Sequence, residues 1–222
     1  MYDYKGNHQS LEEVIFEKDL GITVDNDLNF RKHVSLIVSK ANSTLGIIRR
    51  SFRYLGRNTI MLLYKALIRP ILENGLPAWS PLYKREQEAI EAVQRRATKL
   101  IPGFSELPYE VRLERLNLFS LAHRRLRGDM LFIYKYLHGL ITTDHLLFTR
   151  STVSVTRGHL YKLDKPRFSS LRRQSFLTQR AINHWNALPE LVVGSPSLDV
   201  FKRRLDRFWS NKPGLYSIDG DN

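Results

Sequence analysis

From Arg31 to Leu72 the chain contains no aspartate or glutamate, yet the same stretch carries nine bases: Arg31, Lys32, Lys40, Arg49, Arg50, Arg53, Arg57, Lys65 and Arg69. Its first half places Val34, Ile37, Val38, Ala41, Leu45, Ile48 and Phe52 at helical spacing. That period dictates an amphipathic helix, with one apolar stripe turned toward a core. The cations fall on the faces left over. A solvated helix face normally interleaves both signs at i,i+4, and this one has no acid to interleave. A surface of this kind seeks an external polyanion, and nucleic acid is the commonest one.

The rest of the composition narrows the class. Of 222 residues 42% are hydrophobic, enough for a core and too many for a disordered basic tail. The formal net charge of +13 calls for an anionic partner, nucleic acid or an acidic membrane surface. No apolar run approaches the roughly 20 residues that span a bilayer, so no membrane is expected. Met1 to Asp19 is too polar and acidic for a signal peptide, which points to an intracellular protein, with nucleus and cytoplasm both open. Cysteine is absent, which removes disulfides, thiol nucleophiles and Cys-ligated zinc.

Along the chain, Leu11 to Val24 holds short β-favouring pieces, and Val24-Asp25-Asn26-Asp27 reads as a turn. The basic helix follows from about Phe30 to Phe52. A second helix runs from Asn58, as N-cap, to about Arg69, where Pro70 ends or kinks it. Gly75, Pro77 and Pro81 surround Trp79 in an ordered loop. A third helix spans about Lys84 to Ile101 and stops at Pro102-Gly103; Pro108 to Leu116 and Ser120 to His138 give two more. Thr142 to Leu171 lacks helical period and reads as irregular chain. Arg173 to Leu188 is helical, Ser195-Pro196 caps the last helix around Leu198, Phe201, Leu205 and Phe208, and 212–222 frays. The fold class is mainly α, with a small N-terminal β element and an irregular segment before the C-terminal helices. Trp79, Trp185 and Trp209 are expected in the core.

The candidate nucleic-acid-binding residues are Lys32, Lys40, Arg49, Arg50, Arg53 and Arg57, followed by the smaller cluster Arg95, Arg96 and Lys99. That cluster also reads as a solvated face, because Glu86, Glu88 and Glu91 precede it on the same helix. Arg172-Arg173 and Lys202-Arg203-Arg204 read the same way. Tyr54, Tyr64 or Tyr83 would stack on bases if exposed. Two-metal nucleotidyl transfer needs carboxylates gathered so that two cations sit about 4 Å apart. The chain has no adjacent Asp-Asp pair; Asp25 and Asp27 bracket a turn, and Asp219 and Asp221 lie in the tail. The seven histidines show no metal-ligand spacing, and no cofactor motif occurs. No catalytic residue, metal or cofactor is therefore expected. Arg127-Gly128-Asp129 matches the tripeptide read by adhesion receptors, but it lies inside an expected helix and is read as chance.

Four blocks occur in a specific order: Lys18-Asp19-Leu20-Gly21-Ile22-Thr23-Val24-Asp25-Asn26-Asp27-Leu28; Leu63-Tyr64-Lys65-Ala66-Leu67-Ile68-Arg69-Pro70-Ile71-Leu72-Glu73 with Trp79-Ser80-Pro81; Val93-Gln94-Arg95-Arg96-Ala97-Thr98-Lys99-Leu100-Ile101; and Phe176 with Trp185-Asn186, Leu188-Pro189, Ser195-Pro196-Ser197-Leu198 and Phe201-Lys202. Together they resemble the C-terminal portion of the reverse transcriptase of non-LTR (LINE-type, jockey and chicken-repeat-like) retrotransposons, from about Val14 to Trp209. The resemblance implies a remnant of the palm β element over 1–29, a helical thumb-like domain over 30–141 and a post-thumb region over 142–211. In that family the catalytic aspartates sit on a Tyr-x-Asp-Asp turn upstream of the Leu-Gly block. The resemblance therefore implies a fragment of an RNA-directed DNA polymerase that grips RNA, DNA or hybrid duplex by its backbone and is inactive alone. A palm-containing polypeptide is a candidate partner. Three other readings stay open: a complete polymerase in unusual form, a retroelement-derived protein for structural or protein contacts, and a decaying insertion without a selected role.

Overall fold

The computed structural model describes residues 14–151 and 158–210. The expected frayed tail, with Asp219 and Asp221, lies outside them, as does the chain before Val14. The described chain is mainly helical with one small antiparallel sheet, as the periodicity predicts. Strands β1 (Phe16–Asp19) and β2 (Ile22–Asp25) pair with Phe16 opposite Asp25 and Asp19 opposite Ile22. Their two-residue turn needs positive φ at both positions, and Leu20 (46°) and Gly21 (83°) supply it. Ile22 packs so closely on the turn at Gly75 that a Cβ there would lie 2.5 Å from Ile22 Cδ1, which fixes β2 against the first core.

Helix α1 (Arg31–Ser51) buries His33, Val34, Ile37, Ala41, Leu45 and Ile48. Asp25 sets its entry: the carboxylate accepts from the backbone N–H of Asn29 and Phe30, both at 3.1 Å. Asp25 thus serves the turn, as expected, and Asp27 pairs with Arg172 at 2.7 Å. The apolar stripe ends sooner than the spacing predicts. Ser51 closes the helix, and Phe52, in extended conformation, turns partly into solvent.

The second helix departs from expectation at both ends. Helix α2 (Arg57–Leu63) starts after Gly56, without Asn58 as a cap. Pro70 does not end the helix either. A π turn over Tyr64–Ile68 carries the chain into α3 (Arg69–Glu73), with the N–H of Arg69 bonding back to Tyr64 O. Proline cannot donate to the carbonyl four residues back and its ring crowds that carbonyl; a widened turn ahead of it accommodates both.

Helices α4 (Lys84–Lys99), α5 (Tyr109–Leu116) and α6 (Leu121–Leu137) follow close to their expected positions. In α4 Glu86 sits in the first turn and Arg96 and Lys99 in the last, each complementing the helix dipole. Ser120 caps α6 by accepting from His123 N, and Gly139 (φ 67°) follows its end. A buried polar chain sets the register of these helices. Tyr64 Oη donates to Gln94, Gln94 Nε2 donates to Tyr109 Oη and Phe119 O, and Tyr109 donates to Glu91. Glu91 also accepts from Leu121 N at 2.9 Å, tying α4 to the start of α6.

Arg150 bridges Leu163, and from Leu171 onward the chain forms short turns rather than one helix over 173–188. These are α7 (Leu171–Gln174), α8 (Leu177–Arg180) and α9 (Ile182–Asn186). The break has a visible cause. Arg180 Nη1 takes the Ser175 carbonyl at 2.7 Å, and Gln179 N bonds Phe176 O instead. Helix α10 (Glu190–Val193) leads to α11 (Leu198–Ser210), whose first turn is capped by Ser197, through Val200 N, and not by Ser195-Pro196. Ser195 is buried and donates to Val192 O.

Two apolar clusters result. One gathers α1 to α5 with the start of α6, around Trp79; the other gathers the rest of α6 and the C-terminal helices, around Trp185 and Trp209. Three ion pairs brace α6: Arg124 to Glu73, Asp129 to Arg180 and Arg127 to Asp206. Both charged members of the Arg127-Gly128-Asp129 tripeptide are thereby consumed internally. Among the described residues no helix is long and apolar enough to cross a membrane.

The core histidines make stability acid-sensitive. His123 lies between Phe119 and Trp209, and burial lowers its pKa to about 4, partly opposed by Asp206. Burial also lowers His33 and His159. A base with a depressed folded pKa is stable while neutral and loses that stability as pH falls below its unfolded value near 6.5. Glu91 and Asp129, raised by burial, contribute in the opposite sense. Comparing wild type with His123→Gln isolates the histidine: between pH 7 and pH 5 the wild type should lose about 2 kcal/mol relative to the variant, read by urea denaturation at each pH. Parallel pH profiles would refute the assignment.

Candidate nucleic-acid interface

Five of the cations singled out from the sequence emerge without an internal counter-charge. Lys32, Lys40, Arg49, Arg50 and Arg53 are exposed, and among the described residues none has a carboxylate at ion-pair distance. Helical geometry places them. Lys32 and Arg50 are 18 residues apart, so they share one azimuth, opposite the buried stripe, about five turns and 27 Å apart. Arg49 and Lys40 flank that line on either side. At 3.4 Å per nucleotide along one strand, the Lys32–Arg50 span covers about eight nucleotides. Arg53 follows just beyond the helix end. Lys32 also approaches the Phe16 ring of β1 at 5.7 Å.

The other bases of the acid-free stretch are partly committed. Arg31 reaches Glu86 at 3.7 Å and lies over the Tyr83 ring at 4.4 Å. Arg69 pairs with Glu73 at 3.6 Å. Arg57 stays exposed, but its Nη2 donates to the Arg115 carbonyl at the end of α5. Lys65 is exposed on the π turn and, among the described residues, without a carboxylate partner.

The second cluster divides. Arg95 lies over the Tyr109 ring at 5.1 Å and is half-buried. Arg96 is exposed and donates to Asn42 Oδ1 at 2.6 Å, which fixes α4 to α1. Lys99 is exposed at the end of α4. Arg95 and Arg96 serve helix packing first, which leaves Lys99 as the open cation of the three. Beside them Arg112 is buried, donates to Arg95 O and Thr98 Oγ1, both at 2.7 Å, and closes the C-terminal end of α4. Nothing in the local sequence pattern distinguishes it from a surface arginine.

Of the three tyrosines with the chemistry to stack on bases, Tyr64 is excluded: it is buried and hydrogen-bonded to Gln94, and burial raises its pKa. Tyr83 is partly exposed and already covered by Arg31. Tyr54 is 90% exposed. Arg172 pairs with Asp27, Lys202 with Asp199, and Arg204 donates to Leu191 O, so these three bases already have partners within the chain. Between α1 and α4 an open cavity of about 730 Å³ is lined by Arg31, Ser35, Ser39, Tyr83, Arg85 and Glu86, among others. Among the described residues no group of three histidines or carboxylates is placed to hold a metal ion.

Comparison with known proteins adds little chemistry. No family model matches the chain, and no solved structure matches it. A protein of Caenorhabditis elegans, described as uncharacterized, is 27% identical over 137 residues, which cover 60% of this chain and 67% of that protein. This chain is therefore similar to a nematode protein over more than half its length, and that protein's description carries no activity to transfer.

Proposed function

We propose that the chain is a nucleic-acid-backbone-binding unit, corresponding to the thumb and post-thumb portion of a non-LTR retrotransposon reverse transcriptase. The observation that carries this reading is the unneutralised set of Lys32, Lys40, Arg49 and Arg50 on the open faces of a helix whose remaining face is buried in the first core, with Arg53 just beyond its end. Phosphates spaced along a strand match the separation of Lys32 and Arg50, with Lys40 and Arg49 to either side of that line. Such contacts position a duplex without reading its sequence. Arg57 and Lys99 are further exposed cations, at the start of α2 and the end of α4. The buried histidines and carboxylates are engaged in packing and braces, and the 222 residues carry no Tyr-x-Asp-Asp turn, so the unit binds and does not itself transfer nucleotides. Primer extension with magnesium and nucleotides should give no product from this chain alone. A polypeptide carrying a palm would supply the chemistry.

The test removes the densest part of the set. Arg49→Ala/Arg50→Ala/Arg53→Ala should weaken binding to unrelated duplex sequences alike, and should reduce the steepness of the log–log salt dependence by about two to three units. Unchanged affinity in this triple variant would remove α1 from the interface. One observation favours a protein-contact role instead: Leu36 and Ile47 are also exposed on α1. Capture of a partner that survives nuclease treatment and is lost in Leu36→Ser/Ile47→Ser would support that second reading.

A further inference from the structure

The corner between α1 and α2 carries two aromatic rings that a duplex backbone alone does not use. Phe52 is 42% exposed and Tyr54 is 90% exposed, while Leu55 next to them packs against the first core. The segment is short and held at both ends. The last turn of α1 precedes it, and Arg57 at the start of α2 donates to the Arg115 carbonyl. Tyr54 therefore stands in solvent, and Phe52 is partly exposed beside it, on an anchored bend. Arg49, Arg50, Arg53 and Arg57 surround them in sequence, all exposed, and among the described residues no carboxylate lies at ion-pair distance from any of them. Arg49 and Arg50 also complement the negative end of the α1 dipole, but that role reaches neither Arg53 nor the aromatic rings.

From these residues we infer that the α1–α2 corner is a stacking site for unpaired nucleotides flanking the duplex held along α1, a step that rests on the nucleic-acid reading above. In a paired duplex the base faces are covered by their neighbours, so a tyrosine ring gains nothing from the backbone. An unpaired nucleotide offers a free base face and a phosphate together. Tyr54 and Phe52 take the base, and the adjacent guanidinium groups take the phosphate; stacking on aromatic side chains tolerates any base. The ligand is thus a single-stranded extension or a frayed duplex end, RNA or DNA. The arrangement also resembles the tyrosine and arginine content of protein-binding hot spots, which the same experiment separates.

The experiment measures binding of the full chain, by fluorescence anisotropy at one salt concentration, to a blunt duplex and to the same duplex with a short single-stranded extension. The extension should tighten wild-type binding about tenfold. Phe52→Ala/Tyr54→Ala should abolish that gain and leave blunt-duplex affinity within about twofold of wild type, while Tyr54→Phe keeps the gain because the ring is what stacks. Circular dichroism of the double variant should be unchanged, since neither ring belongs to either apolar cluster. Equal wild-type affinity for the two probes overturns the inference and leaves the α1 reading standing. Equal losses on both probes overturn it too, because the rings would then serve folding or the duplex. Retention of the gain in the double variant assigns the rings to another partner, such as a protein, and also overturns it. Failure to bind even the blunt duplex defeats the α1 reading, and the inference with it.

Discussion

Replacing Asp129 by alanine is expected to destabilise the protein by about 3–5 kcal/mol, because it leaves buried cations without their counter-charge. Asp129 is 3% exposed on its side chain and accepts from Arg180 Nε and Nη2, both at 2.8 Å. The acid serves a second cation as well. Arg125 is buried beside Trp79, and burial lowers its pKa to about 10, with Arg180 adding to the shift and Asp129 opposing it. Without Asp129, two guanidinium groups face each other in a desolvated space. Arg180 also donates to Leu76 O, in the first cluster, so the same change loosens the contact between the two cores. The exposed pair of Arg172 and Asp27 provides the contrast: Asp27→Ala should cost less than about 1 kcal/mol, because water already screens it. Urea midpoints for both variants, at constant steepness of the transition, decide the matter. A cost under about 1 kcal/mol for Asp129→Ala would show that α6 is not held as described.

How much of the fold was legible in the sequence depends on the range of the interaction. The long helices α1, α4, α6 and α11 follow from their apolar period, because a helix of that length is decided by which face it can bury. The stop at Gly139, just past the helix expected over Ser120 to His138, follows from local chemistry. The π turn at Tyr64–Ile68 was not legible: Pro70 signals a disruption, but whether the helix stops or widens is settled by Tyr64 and Ile68 being buried in the first core. The break inside 173–188 was equally hidden, since it depends on Arg180, whose acid partner lies 51 residues away. Phe52 fits the stripe by spacing and falls outside it because α1 ends one residue earlier.

The candidate interface divides along the same line. Charge and period place Lys32, Lys40, Arg49, Arg50 and Arg53 on open faces, and they are open. The commitments of Arg31 to Glu86, Arg96 to Asn42 and Arg57 to Arg115 join residues brought together only by packing, the last pair 58 positions apart. No local pattern encodes them. The same holds for the buried arginines Arg112 and Arg125, which look like surface bases until the helices assemble around them.

The size of the electrostatic effect makes the main proposal easy to contradict. Five phosphate contacts by Lys32, Lys40, Arg49, Arg50 and Arg53 correspond to a log–log slope of affinity against salt of about −4 to −5 on duplex DNA, because each contact releases condensed counterions. Raising salt from about 50 to about 200 mM should then weaken binding several hundredfold, far more than the loss of one phosphate contact would. The most direct measurement is this titration on the wild-type chain with a blunt duplex of arbitrary sequence. A slope of about −4 to −5, the same for unrelated sequences, is the predicted result. A slope shallower than about −2, or no binding at about 50 mM salt, would contradict it and leave the acid-free helix without its proposed partner.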